Sequence, residues 1–357
     1  MDNKNKVIIL LLAIFLIMLI GCVPNQFTEK NIFDESASIE NVIIDEQNKM
    51  KKNDSREIVF VVRRFLSDAP ALIADELGYY SDEDLQVKTI LVEKGKYAAP
   101  LLLSGEADLA ILGNKWTILV QIEDVKNEIE IIADLGGGGK RWRVMARKDS
   151  NISSIQDLNN KKLGSWVTSY GYAKLELFLK DQNINIIPVK LQGMSTYASS
   201  YVLNKSLVDA VFVWEPHPSV IEENELGEEV FTFEGMGNEM SVYLHARTDD
   251  FLESDPRSVF LILKALKRAQ EFIEENPDEA AKIISSKRNL SISVIKKTFQ
   301  YIDYDIRFDE NEEEDINMVI RTFRKTGIND LPEEININLN GVYVENFERF
   351  YIQKSND

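Results

Sequence analysis

Ile58-Val59-Phe60-Val61-Val62, followed by Arg63-Arg64-Phe65-Leu66-Ser67-Asp68 and then Ala69-Pro70-Ala71-Leu72-Ile73-Ala74, is the stretch on which the fold turns. A short run of β-branched and aromatic residues reads as a buried strand. Pro70 suits the first turn of a helix, where a missing N–H costs nothing. The next segments keep the alternation: Gln86–Val92 reads as a strand, Tyr97–Leu103 as a helix and Asp108–Leu112 as a strand. Strands alternating with helices imply βαβ units and a largely parallel sheet.

The same order returns further along the chain. Strand Lys162–Trp166 leads through Thr168-Ser169-Tyr170-Gly171 to helix Ala173–Asp181, strand Ile187–Leu191, helix Ser195–Leu203 and strand Asp209–Val213. Ser67 to Asp108 and Thr168 to Asp209 both span 41 residues. Two α/β halves of equal layout predict two similar lobes. Arg143–Arg147 and Val242–Arg247 read as strands carrying the chain between them, out near Ala146 and back near Leu244. The predicted partition is 56–145 plus 243–357 for the first lobe and 146–242 for the second. The last third reads as helical, with Arg257–Glu275, Asp278–Ser286, Ser291–Tyr301 and Glu312–Lys325 showing apolar residues at three- and four-residue spacing.

Upstream, Lys4 and Lys6 precede an apolar run from Val7 to Ile20. A basic start and a short apolar core read as a secretory signal, 1–21. The run is shorter than the roughly 20 residues a membrane span needs. Its ending, Leu19-Ile20-Gly21-Cys22, looks like the lipobox of bacterial lipoproteins, which implies acylation of Cys22. Cys22 is the single cysteine, so no disulfide forms within the chain. Residues 22–55 are polar and read as a flexible tether. The net charge of −18 argues against nucleic acid and against adhesion to anionic lipid through the protein surface.

Three stretches carry a family resemblance. They are Ala69–Ala74 with Glu76-Leu77-Gly78-Tyr79-Tyr80 and Leu101–Asp108; Ile155–Gly164; and Val208-Asp209-Ala210-Val211-Phe212-Val213-Trp214-Glu215-Pro216. In order and spacing they resemble the nitrate/sulfonate/taurine branch of substrate-binding proteins of ABC transporters. Asp82-Glu83-Asp84-Leu85 departs from that pattern, which usually has a Gly before the Leu. The resemblance implies an α/β fold of two doubly wound lobes, the type II periplasmic-binding-protein fold, with a ligand cleft between them and a helical C-terminal third.

Ligands of open α/β sheets sit outside the carboxyl ends of strands, near helix N-termini. Four loops meet that description, and they supply the candidates Arg64, Ser67, Asp68, Gly113, Asn114, Thr168, Ser169, Tyr170, Trp214 and Glu215. Ser67 and Asp68 suit N-capping as well as ligand contact. One of Arg63 and Arg64 faces the cleft, because strand side chains alternate. Arg141 and Arg143 are further cations, although solvated surface is the plainer expectation for each arginine. Gly136-Gly137-Gly138-Gly139 lacks the Lys-Ser/Thr of a nucleotide loop and reads as a flexible segment at the cleft edge. His217 and His245 have no third partner at metal-ligand spacing and read as structural.

The resemblance implies capture of a small oxyanion by lobe closure and delivery to an ABC permease and its ATPase. The protein would be a monomer, lipid-anchored on the extracytoplasmic face, without cofactor, metal or catalysis. Two alternatives stand: a pyrimidine or thiamine-precursor ligand, stacked on Trp116, Trp142, Tyr170 and Trp214, or a sensory lipoprotein. An enzyme on this fold is disfavoured, since no nucleophile–base pair is visible.

Overall fold

The computed structural model describes residues 56–192, 195–236, 241–308, 311–327, 331–341 and 344. The expected signal segment, Cys22 and the tether lie outside the described residues. The first lobe opens with β1 (Ile58–Arg63), α1 (Ala69–Glu76), α2 (Tyr79–Asp82), β2 (Val87–Val92), α3 (Gly95–Leu103), β3 (Leu109–Gly113), α4 (Asn114–Glu123) and β4 (Ile129–Gly137). The second lobe contains β5 (Trp142–Arg147), β6 (Lys162–Ser165), α5 (Tyr170–Asp181), β7 (Ile187–Lys190), α6 (Thr196–Asn204), β8 (Ala210–Trp214), α7 (His217–Glu223) and β9 (Gly227–Thr232). The chain then runs through β10 (Val242–Arg247), α8 (Pro256–Glu275), α9 (Pro277–Lys287), α10 (Ile292–Phe299), β11 (Asp303–Arg307) and α11 (Glu312–Thr326).

Two sheets result, ordered β11-β4-β10-β3-β1-β2 and β7-β6-β8-β5-β9. Their plans match. In each, a first strand lies between two parallel neighbours, and a strand from across the molecule joins antiparallel beside the third. That visiting strand is β10 in the first sheet and β5 in the second. The repeat legible in the sequence is thus a repeat of sheet topology. The crossings differ from the expected ones. β5 lies wholly in the second sheet, paired with β8 and β9, so the chain leaves the first lobe at Gly138–Arg141. It returns between β9 and β10.

β1 shows why its sequence is continuously apolar. Ile58, Phe60 and Val62 belong to the same core cluster as Val259, Ile262 and Leu266 of α8, while Val61 belongs to a second cluster with Ala110, Leu112 and the α3 residues Ala98 and Leu102. Successive side chains enter opposite faces, and both faces are covered. α11 behaves differently from the other C-terminal helices. Its Ile316, Val319, Ile320 and Phe323 join the second-lobe core around Leu163, Val211 and Phe212. The C-terminal third is therefore shared between lobes rather than confined to the first.

The four glycines do not form a flexible loop. Gly136 and Gly137 end β4, are buried, and pair with Tyr304 and Asp303 of β11. Gly136 has φ +83°, and a Cβ there would collide with the Asp303 carbonyl oxygen. Gly139 packs as closely on the Phe233 backbone. Glycine is required here by close backbone approach. Gly136→Ala should lower the unfolding free energy by roughly 1–3 kcal/mol, measured by urea denaturation followed by circular dichroism. A change below about 0.5 kcal/mol would contradict this packing.

Candidate functional site

A cavity of about 330 Å³ opens between the carboxyl ends of the two sheets. The end of β1 contributes Arg63, and the loop after it contributes Phe65 and Ser67. The loop after β2 contributes Lys94, Gly95 and Lys96, and the β3–α4 junction contributes Gly113, Asn114, Lys115 and Trp116. The crossing supplies Arg141, and β5 supplies Trp142. The second lobe supplies Trp166, Thr168, Ser169, Tyr170 and Trp214. The N-terminal ends of α3, α4 and α5 all border this space, and helix N-termini carry partial positive charge. Ser169 caps α5, accepting from the Tyr172 N–H at 3.2 Å.

The lining contains five cationic side chains and no carboxylate. Arg63 is buried and held by Asp68 behind it: its Nε donates to Oδ2 at 2.9 Å and its Nη2 to Oδ1 at 2.6 Å. Its Nη1 lies against Gly113, where a Cβ would come within 2.9 Å. Burial, and then the Arg63 charge, bring Arg141 down to about 10. Burial also pulls the Lys115 ammonium below its usual range. Each depression records a charge that water no longer fully solvates.

The second lobe adds an aromatic wall, and the Arg141 guanidinium lies 5.8 Å from the centroid of its Trp142 ring. Trp142 and Trp214 face each other in register across β5 and β8, with ring centroids 4.8 Å apart. Trp166 continues the wall at 4.7 Å from Trp214, and His217 backs it at 4.7 Å from Trp166. Phe65 of the first lobe meets Trp214 edge-on at 6.3 Å. Gly171, at the start of α5, leaves room for the Trp142 ring, which a Cβ would strike.

Seven of the ten residues expected at the site line this cavity: Ser67, Gly113, Asn114, Thr168, Ser169, Tyr170 and Trp214. Arg64 does not. It turns out to Glu93 at 3.0 Å and to the Lys287 carbonyl at 3.3 Å, while strand alternation aims Arg63 inward. Asp68 sits beneath the cavity floor, fully buried; it serves Arg63 and the Ser67 hydroxyl rather than capping α1. Glu215 lies behind the second-lobe wall. Trp166, Lys94, Lys96 and Lys115 were not among the ten, although the strand-end rule applied to β2 as well would have reached Lys94 and Lys96, and Lys115 lies in the loop after β3 that supplied Gly113 and Asn114.

Arg141 and Arg143 are both buried, contrary to a solvated-surface position. Arg143 engages three carboxylates: Glu215 at 2.8 Å, Glu222 at 2.6 Å, and Glu229. Its guanidinium also lies 4.1 Å from the Tyr301 ring centroid. Burial alone would favour a neutral guanidine, but Glu215 and Glu222 outweigh it and hold Arg143 charged. Glu215 also accepts from Ser219 at 2.7 Å and from Thr298 of α10 at 3.1 Å, while Glu222 pairs with Lys297 at 2.7 Å. This network joins the second lobe to a first-lobe helix. Among the described residues no group of three or more His, Cys, Asp or Glu is placed to hold a metal. Nor is any described helix long and apolar enough to cross a membrane.

Residues 67–280 match the family model described as NMT1/THI5 like. The chain belongs to the NMT1/THI5-like family. A relative in Bacillus subtilis (strain 168), YtlA, provisionally described as a binding protein, is 22% identical over 213 residues. That match covers 58% of this chain and 63% of YtlA, so the chain spans less than two thirds of that relative's length. The periplasmic aliphatic sulphonate binding protein SsuA of Escherichia coli superposes with a TM-score of 0.70 at 13% identity, over 79% of this chain and 90% of its own. The periplasmic nitrate-binding protein NrtA of Synechocystis PCC 6803 gives 0.62 at 13%, over 84% and 89%. The fold of this NMT1/THI5-like chain is the type II periplasmic-binding-protein fold.

Two outcomes follow from the buried network and the buried imidazole. Arg143→Met strands Glu215 without its cation and should lower the unfolding free energy by about 3–5 kcal/mol in urea titrations. His217 is pushed from 6.5 to about 3 by burial and then by Arg288. Its folded value lies below the unfolded one, so its contribution is complete above about pH 6.5 and is lost as pH falls toward 3. His217→Asn should flatten the stability–pH slope over that window by up to about 1.4 kcal/mol per pH unit.

Proposed function

We propose that this protein is the extracytoplasmic solute-binding lipoprotein of an ABC importer, anchored through Cys22, and that it captures a small organic or inorganic oxyanion. The observation that carries this reading is a cleft with five cations and no lining carboxylate, inside a chain of net charge −18. Local positive potential in an acidic molecule concentrates anions at that one place. Family membership and the SsuA and NrtA likenesses agree with an organosulfonate or nitrate-like ligand. Arg63, Lys115, Asn114 and Ser169 are the groups assigned to the oxyanion, and the N-terminal ends of α4 and α5 add their dipoles. Capture works by closure of the two lobes about the crossings at Gly138–Arg141 and before β10. The closed monomer then docks on its permease, and the ATPase drives release. The protein is a carrier of ligand rather than a catalyst.

The tryptophan wall favours a second reading, a pyrimidine or thiamine-precursor ligand held by stacking. A thermal-shift screen of the purified protein in detergent separates the two, using taurine, alkyl sulfonates, nitrate and thiamine pyrimidines. A ligand at 100 times its dissociation constant adds about 2.7 kcal/mol of stability. Sulfonates should raise the melting temperature, and Arg63→Gln should reduce that rise. A response to uncharged pyrimidines alone would move the assignment to the second reading. Cys22→Ala should move the protein from the membrane fraction to the medium and abolish labelling by radioactive palmitate; retention on the membrane would count against the anchor.

A further inference from the structure

The cavity has two unlike sides. Lys94, Lys96 and Lys115 stand on the first-lobe side with Trp116 among them, the Lys96 ammonium lying 4.7 Å from the Tyr97 ring centroid. Trp142, Trp166 and Trp214 form a continuous indole surface on the other. Volume limits what fills the space between them. At about 330 Å³ it holds far more than a nitrate, since one water takes about 30 Å³ of liquid and a cavity of about 150 Å³ accepts benzene. A small inorganic anion beside the lysines would leave the indole surface wet, which is unfavourable for apolar area. A quaternary ammonium ligand, the other habitual guest of aromatic cages, is repelled by the same lysines.

We propose that the preferred ligand is an aromatic anion, a flat ring bearing a sulfonate, carboxylate or phosphate group, seated with its charge toward Lys94 and Lys115 and its ring against Trp142, Trp166 and Trp214. The proposal rests on the capture reading above and narrows its ligand class. The ring satisfies the wall and the charge satisfies the lysines, so both halves are needed for tight binding. Lys115 sits at the N-terminal end of α4, where the helix dipole adds to its attraction for the anion. The lowered Lys115 ammonium fits this arrangement, because an incoming anion restores its ordinary proton affinity.

The test uses the full-length protein in detergent, isothermal titration and tryptophan fluorescence. Three probes are compared: 2-naphthalenesulfonate, ethanesulfonate and 2-naphthol. The expected order places naphthalenesulfonate at least tenfold tighter than ethanesulfonate, with quenching of indole emission, and 2-naphthol weakest. Trp166→Ala should bring the affinity ratio of the two sulfonates to near one. Lys115→Gln should weaken both sulfonates and leave 2-naphthol unaffected. Circular dichroism of each variant confirms that it folds. Equal or tighter binding of ethanesulfonate overturns the aromatic preference and leaves oxyanion capture standing. Naphthol binding as tightly as naphthalenesulfonate, or no response to any anion, overturns both.

Discussion

A charged guanidinium taken out of water is tolerated only if carboxylates surround it, and Arg143 meets that demand with three. Much of the molecule is arranged around the pairing. Glu215 comes from the end of β8, Glu222 from α7 and Glu229 from β9, so the constraint clamps one whole edge of the second lobe. Arg143 and Trp142 are neighbours on β5, and Glu215 and Trp214 are neighbours at the end of β8. Fixing the ions on one face fixes the indoles on the other, because adjacent strand residues point oppositely. Tyr301, Thr298 and Lys297 extend the same network to the first-lobe helices. The aromatic wall of the cleft is thus held by electrostatics that the cleft itself never displays.

The two-lobe plan was legible because it is written in local patterns: apolar runs, a proline at a helix start, and an identical spacing repeated in two halves. Most of the cavity floor was legible for the same reason, since strand ends next to helix starts define it. What escaped depended on distant partners. Nothing near Arg143 in sequence shows that Glu215 and Glu222 will bury it, so a solvated arginine was the natural expectation. Arg63 and Arg64 were indistinguishable until the parity of β1 was known. β4 and β9 went unassigned because β4 ends in glycines and carries Asp134, while β9 carries Glu228 and Glu229, a composition that blurs a strand's signature. The glycines looked mobile because sequence does not show the β11 backbone that presses on Gly136.

Charge is distributed in this protein against its own average. An acidic exterior with a cationic interior cleft focuses field lines into one opening, raising local anion concentration without raising affinity for anionic surfaces. Ionic strength modulates such an arrangement unevenly. Exposed carboxylates are screened within about 8–10 Å, whereas the half-buried Lys115 and the buried Arg141 retain most of their influence.

The exchange of strands between sheets also bears on the order in which the chain completes itself. β10 lies between β3 and β4, yet it is synthesised only after every strand of the second lobe. Until then the facing edges of β3 and β4 have no partner, and the first sheet stays open along its middle. Such non-local closure is slow, and open edges are sites of unwanted pairing. The lobe that begins first therefore finishes last, and a nascent chain cut short between Gly137 and Val242 leaves a sheet split in two.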